Sequence, residues 1–162
     1  GFSVHALANK ATEVTSLDIS KQALDIAREN GKLNDYTGTH KTISGDAFKE
    51  MKTLIEKGKT FDVVVIDPPS FAKQQLEIDL AKKKYAQLAQ LGEKLTAKNG
   101  LLVLASCSSR VLAQSFFDLN SRVLNTQYRL FETILKTKHD TDHPVSFPEG
   151  AYLKCGYYRF LE

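Results

Sequence analysis

Hydrophobic and polar residues alternate along this chain in blocks that switch between the strand and the helix period. Glu13–Leu17 reads as a strand. Ser20 follows as the N-cap of a helix over Lys21–Asn30, with Gly31 placed to stop it. His40–Ser44 is a short strand, Ala47–Lys57 a helix closed by Gly58, and Phe61–Ile66 a strand. Leu76–Leu95 carries the amphipathic pattern of a long helix. Asn99-Gly100 marks a turn, Leu101–Ala105 a continuous apolar strand and Val111–Asn125 a helix. Tyr128–Leu135 and Tyr152–Leu161 read as closing strands joined by a proline-containing loop. Strands alternating with helices in this way predict an α/β fold: a doubly wound, mostly parallel sheet with an antiparallel C-terminal strand.

The most informative block is Phe61-Asp62-Val63-Val64-Val65-Ile66-Asp67-Pro68-Pro69-Ser70-Phe71. Its β-branched run, too short for a helix, predicts a central strand buried on both faces. Asp67 and two prolines end it, because neither proline offers an N–H to the ladder and the residue before proline is driven to extended geometry. The Asp67 carboxylate then projects past the carboxyl end of the sheet, where open α/β sheets bind ligands. Phe71 follows as an aromatic ring able to stack on a flat group. An isolated Asp-Pro would be read as a plain turn; the buried run, the Pro68-Pro69 pair and the aromatic ring favour a site for a planar nitrogenous base.

The other strand ends carry chemistry as well: Asp18 after the first strand, Gly45-Asp46-Ala47-Phe48 after the second and Ser106-Cys107-Ser108 after the fourth. An acid in the first of these places can take a ribose diol, and an acid beside a small residue and an aromatic can hold an adenine. Singly, Asp18 could be a helix-start charge and Asp46 an N-cap. Together they point to an adenosine-containing cofactor. Cys107 follows its strand and is flanked by hydroxyls, unlike Cys155, which lies inside a strand and resembles an ordinary packed thiol.

Composition narrows the picture little. At 162 residues, with 42% hydrophobic and 25% charged residues, the chain suits one soluble domain. A net charge of +3 tolerates a nucleic-acid partner without demanding one. Two distant cysteines without a Cys/His cluster argue against a disulfide framework or a zinc site and suit a reducing cytosol. No apolar run reaches the ~20 residues of a membrane span, and no signal peptide opens the chain.

In order, LDIS, GDAF, IDPPSFAK, ASCSSR and DHPVSFPEGAYLK resemble the methyltransferase domain of S-adenosylmethionine-dependent RNA cytosine-C5 methyltransferases, and most of all the bacterial group acting on 23S ribosomal RNA. The resemblance implies a Rossmann-like class I methyltransferase fold across residues 1–162, a cytoplasmic enzyme, S-adenosyl-L-methionine as cofactor and ribosomal RNA as partner. It places Gly1, Asp18, Asp46, Phe48 and Asp67 at the cofactor, Asp67 with Pro68, Pro69 and Phe71 at the base, and Cys107 at the catalytic nucleophile. It gives His143-Pro144 and Phe147-Pro148-Glu149 a matching loop without a role. Lys73 could meet a phosphate, whereas Lys82-Lys83-Lys84 reads as the wet face of a helix. Two other readings stay open: a nucleic-acid nitrogen methyltransferase using Asp67-Pro68-Pro69, and a non-catalytic Rossmann-like binding module.

The opening residues read as a helix already under way, and the resemblance implies that Gly1 would be the last glycine of the family's glycine-rich turn, with the preceding strand and RNA-binding domain expected outside 1–162. That arrangement predicts a sheet lacking the member between Glu13–Leu17 and Phe61–Ile66. The two strands would face a gap, pair directly or recruit a partner chain, and 1–162 alone would bind the cofactor poorly and transfer no methyl group.

Asp18→Ala is expected to weaken S-adenosylmethionine binding by tenfold or more while leaving RNA affinity untouched. Hydrogen bonds to a charged group contribute roughly 1.5–3 kcal/mol each. Calorimetry giving an unchanged cofactor affinity would reduce Asp18 to a helix-start charge.

Overall fold

A computed structural model describes residues 2–147 and 150–161. The elements follow the expected alternation: α1 (Phe2–Ala8), β1 (Glu13–Asp18), α2 (Lys21–Lys32), β2 (Thr39–Ser44), α3 (Ala47–Glu56), β3 (Phe61–Ile66), α4 (Ile78–Leu95), β4 (Thr96–Ser106), α5 (Ala113–Asn125), β5 (Phe131–Thr137) and β6 (Lys154–Phe160). A 3-10 turn, Gln75–Glu77, leads into α4. The chain divides into two compact units, 1–53 and 54–162.

In the first unit β1 and β2 form a two-stranded parallel sheet in register from Glu13↔Thr39 to Asp18↔Ser44. Ser20 caps α2 as its sequence requires, its hydroxyl accepting the Ala23 N–H at 3.2 Å. Gly31 does not stop that helix, which runs on to Lys32. Gly31 is buried, and a Cβ there would lie 2.6 Å from the Tyr36 hydroxyl oxygen, so close packing of Tyr36 explains the glycine. Gly58, with φ of 65°, does follow α3 as a left-handed terminator.

In the second unit β3, β4, β6 and β5 form a mixed four-stranded sheet in that order, β3–β4 parallel and the other two pairings antiparallel. α4 packs on β3 and β4 and against α5. The core gathers Tyr85, Ala89, Leu102, Leu104, Phe116, Leu124, Tyr158 and Phe160. Asn99-Gly100 does turn, with Asn99 at φ 59°, but inside β4, where it forms the irregularity that shifts the β3–β4 register between Phe61 and Val63. Arg129 fastens the α4–β4 junction. Its guanidinium donates to the carbonyls of Glu93 (2.9 Å), Thr96 (2.9 Å) and Ala97 (3.2 Å), pairs with the Glu93 carboxylate and lies over the Phe160 ring.

One expectation fails here. β3 is not buried on both faces: Val63 is 54% and Val65 41% exposed, while Val64 and Ile66 pack against the core. Among the described residues β3 pairs with β4 alone, so it is an edge strand with one covered face. A continuous apolar run does not distinguish a central strand from an edge strand. β1 and β3 belong to separate sheets.

Leu102→Ala, which empties a fully buried position, is expected to cost about 2–5 kcal/mol. Val63→Ala should stay within about 0.5 kcal/mol. Denaturant unfolding gives both values, and a Val63→Ala cost matching that of Leu102→Ala would restore β3 to a buried position.

Candidate active site

In the first unit, Asp18 is the last residue of β1 and lies opposite Ser44 of β2. Its carboxylate is exposed, and Oδ1 accepts the Ser20 N–H at 2.7 Å. The Gly45 N–H donates to the Asp18 carbonyl at 3.0 Å, so the chain leaving β2 is tied to the end of β1. Asp46 is also exposed and opens α3, Oδ1 accepting the Lys49 N–H at 3.0 Å. Phe48 lies half-buried in the first turn of α3. The unit therefore gathers Asp18, Asp46 and Phe48 at the carboxyl ends of two paired strands. Gly1 lies outside the described residues.

In the second unit the parallel strands β3 and β4 end side by side, Ile66 opposite Leu104. Asp67 follows β3 as an exposed acid. The Cys107 thiol donates toward the Pro68 carbonyl at 3.8 Å, so thiol and Asp67-Pro68-Pro69 turn meet at one sheet edge. Two more contacts bind the same loops. The Ser108 hydroxyl donates to the Ala72 carbonyl at 3.3 Å, and the Ser70 hydroxyl donates to the same carbonyl at 3.2 Å.

Beneath them stands Tyr85 of α4, whose ring packs against Phe71 (centroids 5.0 Å) and edge-on to Phe116 (5.3 Å). The Ser106 hydroxyl donates to its phenolic oxygen at 2.9 Å, and the Phe71 backbone hydrogen-bonds the same oxygen. Burial raises the Tyr85 pKa above the usual phenol range, with the charges of Cys107 and Asp67 adding in the same direction. Phe71 is thus engaged with the core on the Tyr85 side and lies under the Lys84 ammonium, 5.0 Å from the ring centroid. Lys84 and Lys82 are half-buried, so only Lys83 of the lysine triplet matches a wet helix face. The Lys73 side chain is exposed, and its N–H is held by the Glu77 carboxylate at 2.7 Å. These amide bonds, with that of Gln74, lower the Glu77 pKa.

Lys154 was overlooked by sequence reasoning. It opens β6 opposite Ser106 and is 1% exposed. Its ammonium donates to the Ser108 carbonyl and, at 3.0 Å, to the Tyr152 carbonyl. Burial pushes its pKa down to about 8, and the neighbouring Cys107 charge works against that fall. A signal existed: Lys154 is in phase with Gly156, Tyr158 and Phe160, the buried positions of β6. A lysine in the buried phase of a strand asks for a reason. Tyr85 gave no such signal, being an ordinary member of an amphipathic helix, and Ser106 stood out only as a hydroxyl flanking Cys107. Cys155 sits within β6 opposite Ala105 and Thr137, and burial raises its pKa. In the late loop, His139 stacks on His143 (4.5 Å) and meets Tyr152 edge-on (4.6 Å), and its Nε2 accepts the Leu153 N–H. Pro148 and Glu149 lie outside the described residues.

A cleft of about 670 Å³ runs beside these turns, lined among others by Leu76, Asp79, Lys82, Arg110 and Leu112. Among the described residues no group of three or more His, Cys, Asp or Glu could hold a metal ion, and no helix is long and apolar enough to cross a membrane.

Comparison with known proteins bears on what this edge belongs to. A ribosomal RNA large subunit methyltransferase of Deinococcus radiodurans is 39% identical over 156 residues, covering 96% of this chain and 38% of the relative. A ribosomal RNA large subunit methyltransferase I of Aeromonas hydrophila is 36% identical over 157 residues, covering 95% of this chain and 40% of the relative. The chain thus spans about two fifths of the length of the curated relatives it matches. Among solved structures, a protein of Streptococcus mutans assigned to the SAM-dependent methyltransferases superposes with a TM-score of 0.79 at 24% identity, covering 98% of this chain and 41% of that one. A protein assigned as a methyltransferase and complexed with SAH gives 0.80 at 24% identity, covering 98% and 42%. These likenesses establish the Rossmann-like α/β fold of class I methyltransferases, with a mixed sheet. The sequence profile of the S-adenosylmethionine-dependent methyltransferases matches residues 1–132, and the chain belongs to that family.

Proposed function

We propose that the protein containing this chain transfers a methyl group to C5 of a cytosine in large-subunit ribosomal RNA. Cys107 is the nucleophile and Asp67 the residue that contacts the base. The observation that carries this reading is the approach of the Cys107 thiol to the Asp67-Pro68-Pro69 turn, 3.8 Å from the Pro68 carbonyl. The RNA substrate is drawn from the names of the relatives.

The residues present fit the family's cofactor. Asp18 and Asp46 are exposed acids at adjacent strand ends, each with one oxygen engaged by a backbone N–H. That leaves each carboxylate acceptor capacity for a diol or an amine. Asp18 would hold the ribose, and Asp46 and Phe48 the adenine. When bound, S-adenosylmethionine supplies an electrophilic sulfonium methyl.

Cytosine C5 is a weak nucleophile, and the chain's own groups correct that. Addition of the Cys107 thiolate to C6 makes C5 enamine-like and able to accept the methyl. Asp67 would accept an N4 amino hydrogen with one oxygen and share a proton with N3 through the other, so that the electron pair driven onto N3 by thiolate addition is met by that proton. Transfer of the C5 proton to water then re-forms the C5=C6 bond, breaks the S–C6 bond and releases the Cys107 thiolate and the methylated base. The thiol reaches C6 only if the base leaves its stack, and a flipped base would enter beside the prolines. Phe71, anchored by Tyr85, would flank it. Lys82 and Arg110, lining the neighbouring cleft, suit the phosphates of flanking nucleotides.

RNA carrying 5-fluorocytosine tests the reaction. Fluorine at C5 blocks the final elimination, so an attacking thiol leaves a covalent protein–RNA adduct that survives denaturing electrophoresis. Cys107→Ala in the intact protein should abolish both adduct and methyl transfer with cofactor affinity nearly unchanged, whereas Cys155→Ala should be close to silent. Retained turnover in the Cys107 variant would exclude C5 chemistry and leave nitrogen methylation through Asp67-Pro68-Pro69.

A further inference from the structure

A lysine buried without a carboxylate is costly, because its ammonium gives up water for weaker partners. Lys154 is the only cation in the buried set of the described residues, and its hydrogen bonds go to the carbonyls of Ser108 and Tyr152. A leucine in this phase of β6 would join Tyr158 and Phe160 in the core. The charge therefore wants an anion, and the geometry supplies one candidate. Lys154 faces Ser106 across the β4–β6 ladder and grips the Ser108 carbonyl, the two residues that flank Cys107.

We infer that the Lys154 ammonium is the counter-charge of the Cys107 thiolate, and that it fixes the thiol by gripping the turn on which Cys107 sits. Lys154 is thus a positioning residue for the nucleophile. The titratable groups around this corner are Cys107 after β4, Tyr85 on α4, Asp67 after β3, Cys155 and Tyr157 on β6, and Tyr152 and His139 before it. Of these, Cys107 is the one whose charge acts on Lys154, opposing the effect of burial. Through its bond to the Ser108 carbonyl the ammonium is held at the turn that carries the sulfur, where a thiolate would meet a positive charge. A buried amine is also better here than a surface one, since low dielectric strengthens its field at the sulfur. The inference rests on the proposed role of Cys107 as nucleophile, but its test needs no RNA.

In the intact protein, iodoacetamide alkylation of Cys107 is followed across pH by peptide mass spectrometry. Lys154→Met is expected to slow alkylation at neutral pH about tenfold and to move the rate profile upward by about one pH unit, with Lys154→Arg changing it less than about threefold. A folded Lys154→Met protein whose profile superimposes on the wild type overturns the inference. Should that variant fail to fold, the Lys154 ¹³Cε resonance is titrated in wild type and in Cys107→Ala. Loss of the thiolate should let the amine deprotonate at lower pH by about one unit, and an unmoved midpoint overturns the inference equally. Failure of the C5 reading is separable, since it appears as methyl transfer retained in Cys107→Ala whatever the alkylation rates.

Discussion

The phenolic oxygen of Tyr85 fixes the geometry on which the candidate site depends. Two parallel strands end side by side at β3 and β4, and each must hand its backbone over to a turn. A turn leaving a sheet has no ladder to satisfy its polar groups and would ordinarily drift in solvent. Here one buried hydroxyl engages the Ser106 side chain at the end of β4 and the Phe71 backbone beyond β3. The Ala72 carbonyl, accepting from both Ser70 and Ser108, adds a second tie. Cys107 and Pro68 come together because the residues on either side of them are held, and very little of the holding is done by the two groups themselves. A thiol at 3.8 Å from a carbonyl is a weak contact, so its position is set by the frame.

The parts of this arrangement that the sequence discloses are those written in local patterns. Alternation of strand and helix periods located every strand, and the acid or thiol at each carboxyl end followed from counting to the end of an apolar run. Gly58 was legible as a left-handed terminator because φ is a local property. Gly31 was not, because its reason is the Tyr36 hydroxyl that packs over it from further along the chain. Burial of β3 on both faces was misread for the same cause: an apolar run records composition, whereas exposure of Val63 and Val65 depends on which strands lie alongside. Tyr85 belongs to the same class, since it looks ordinary in its own helix and acquires meaning only where α4 meets Ser106 at the end of β4. Lys154 falls between: its phase in β6 was readable, its partners were not.

The acids of the first unit show how a residue can serve the fold and still be open to chemistry. Asp18 closes a turn onto the Ser20 N–H, and Asp46 caps α3 through the Lys49 N–H. Either bond alone accounts for the residue type, which is why a capping role and a ligand role could not be separated from sequence. A carboxylate has more acceptor sites than one amide uses. The capping bond then does a second service by fixing the rotamer, so that the remaining lone pairs point in a direction set by the backbone. Pre-orientation of this kind lowers the ordering cost of binding a polar ligand, and the structural and proposed functional roles of these acids reinforce each other.

Lys154 shows the opposite relation, in which the fold bears a cost that packing alone does not justify. A buried ammonium held by two carbonyls is poorly compensated, since carbonyl dipoles return only part of the hydration it has lost, and its pKa of about 8 records that deficit. Tyr85, Ser106 and Ser108 already tie the turns together with neutral groups, so a cation is not needed to hold the chain. What neutral groups cannot supply is a fixed positive charge at a sheet edge that presents a thiol on one side and an exposed acid, Asp67, on the other. The charge is carried by the first residue of β6, a strand paired on both sides by β4 and β5, and not by a loop free to move away. The least replaceable feature of the corner is therefore a charge on a rigid element. Its cost to stability is understandable as the means of facing the Cys107 turn with a fixed positive charge.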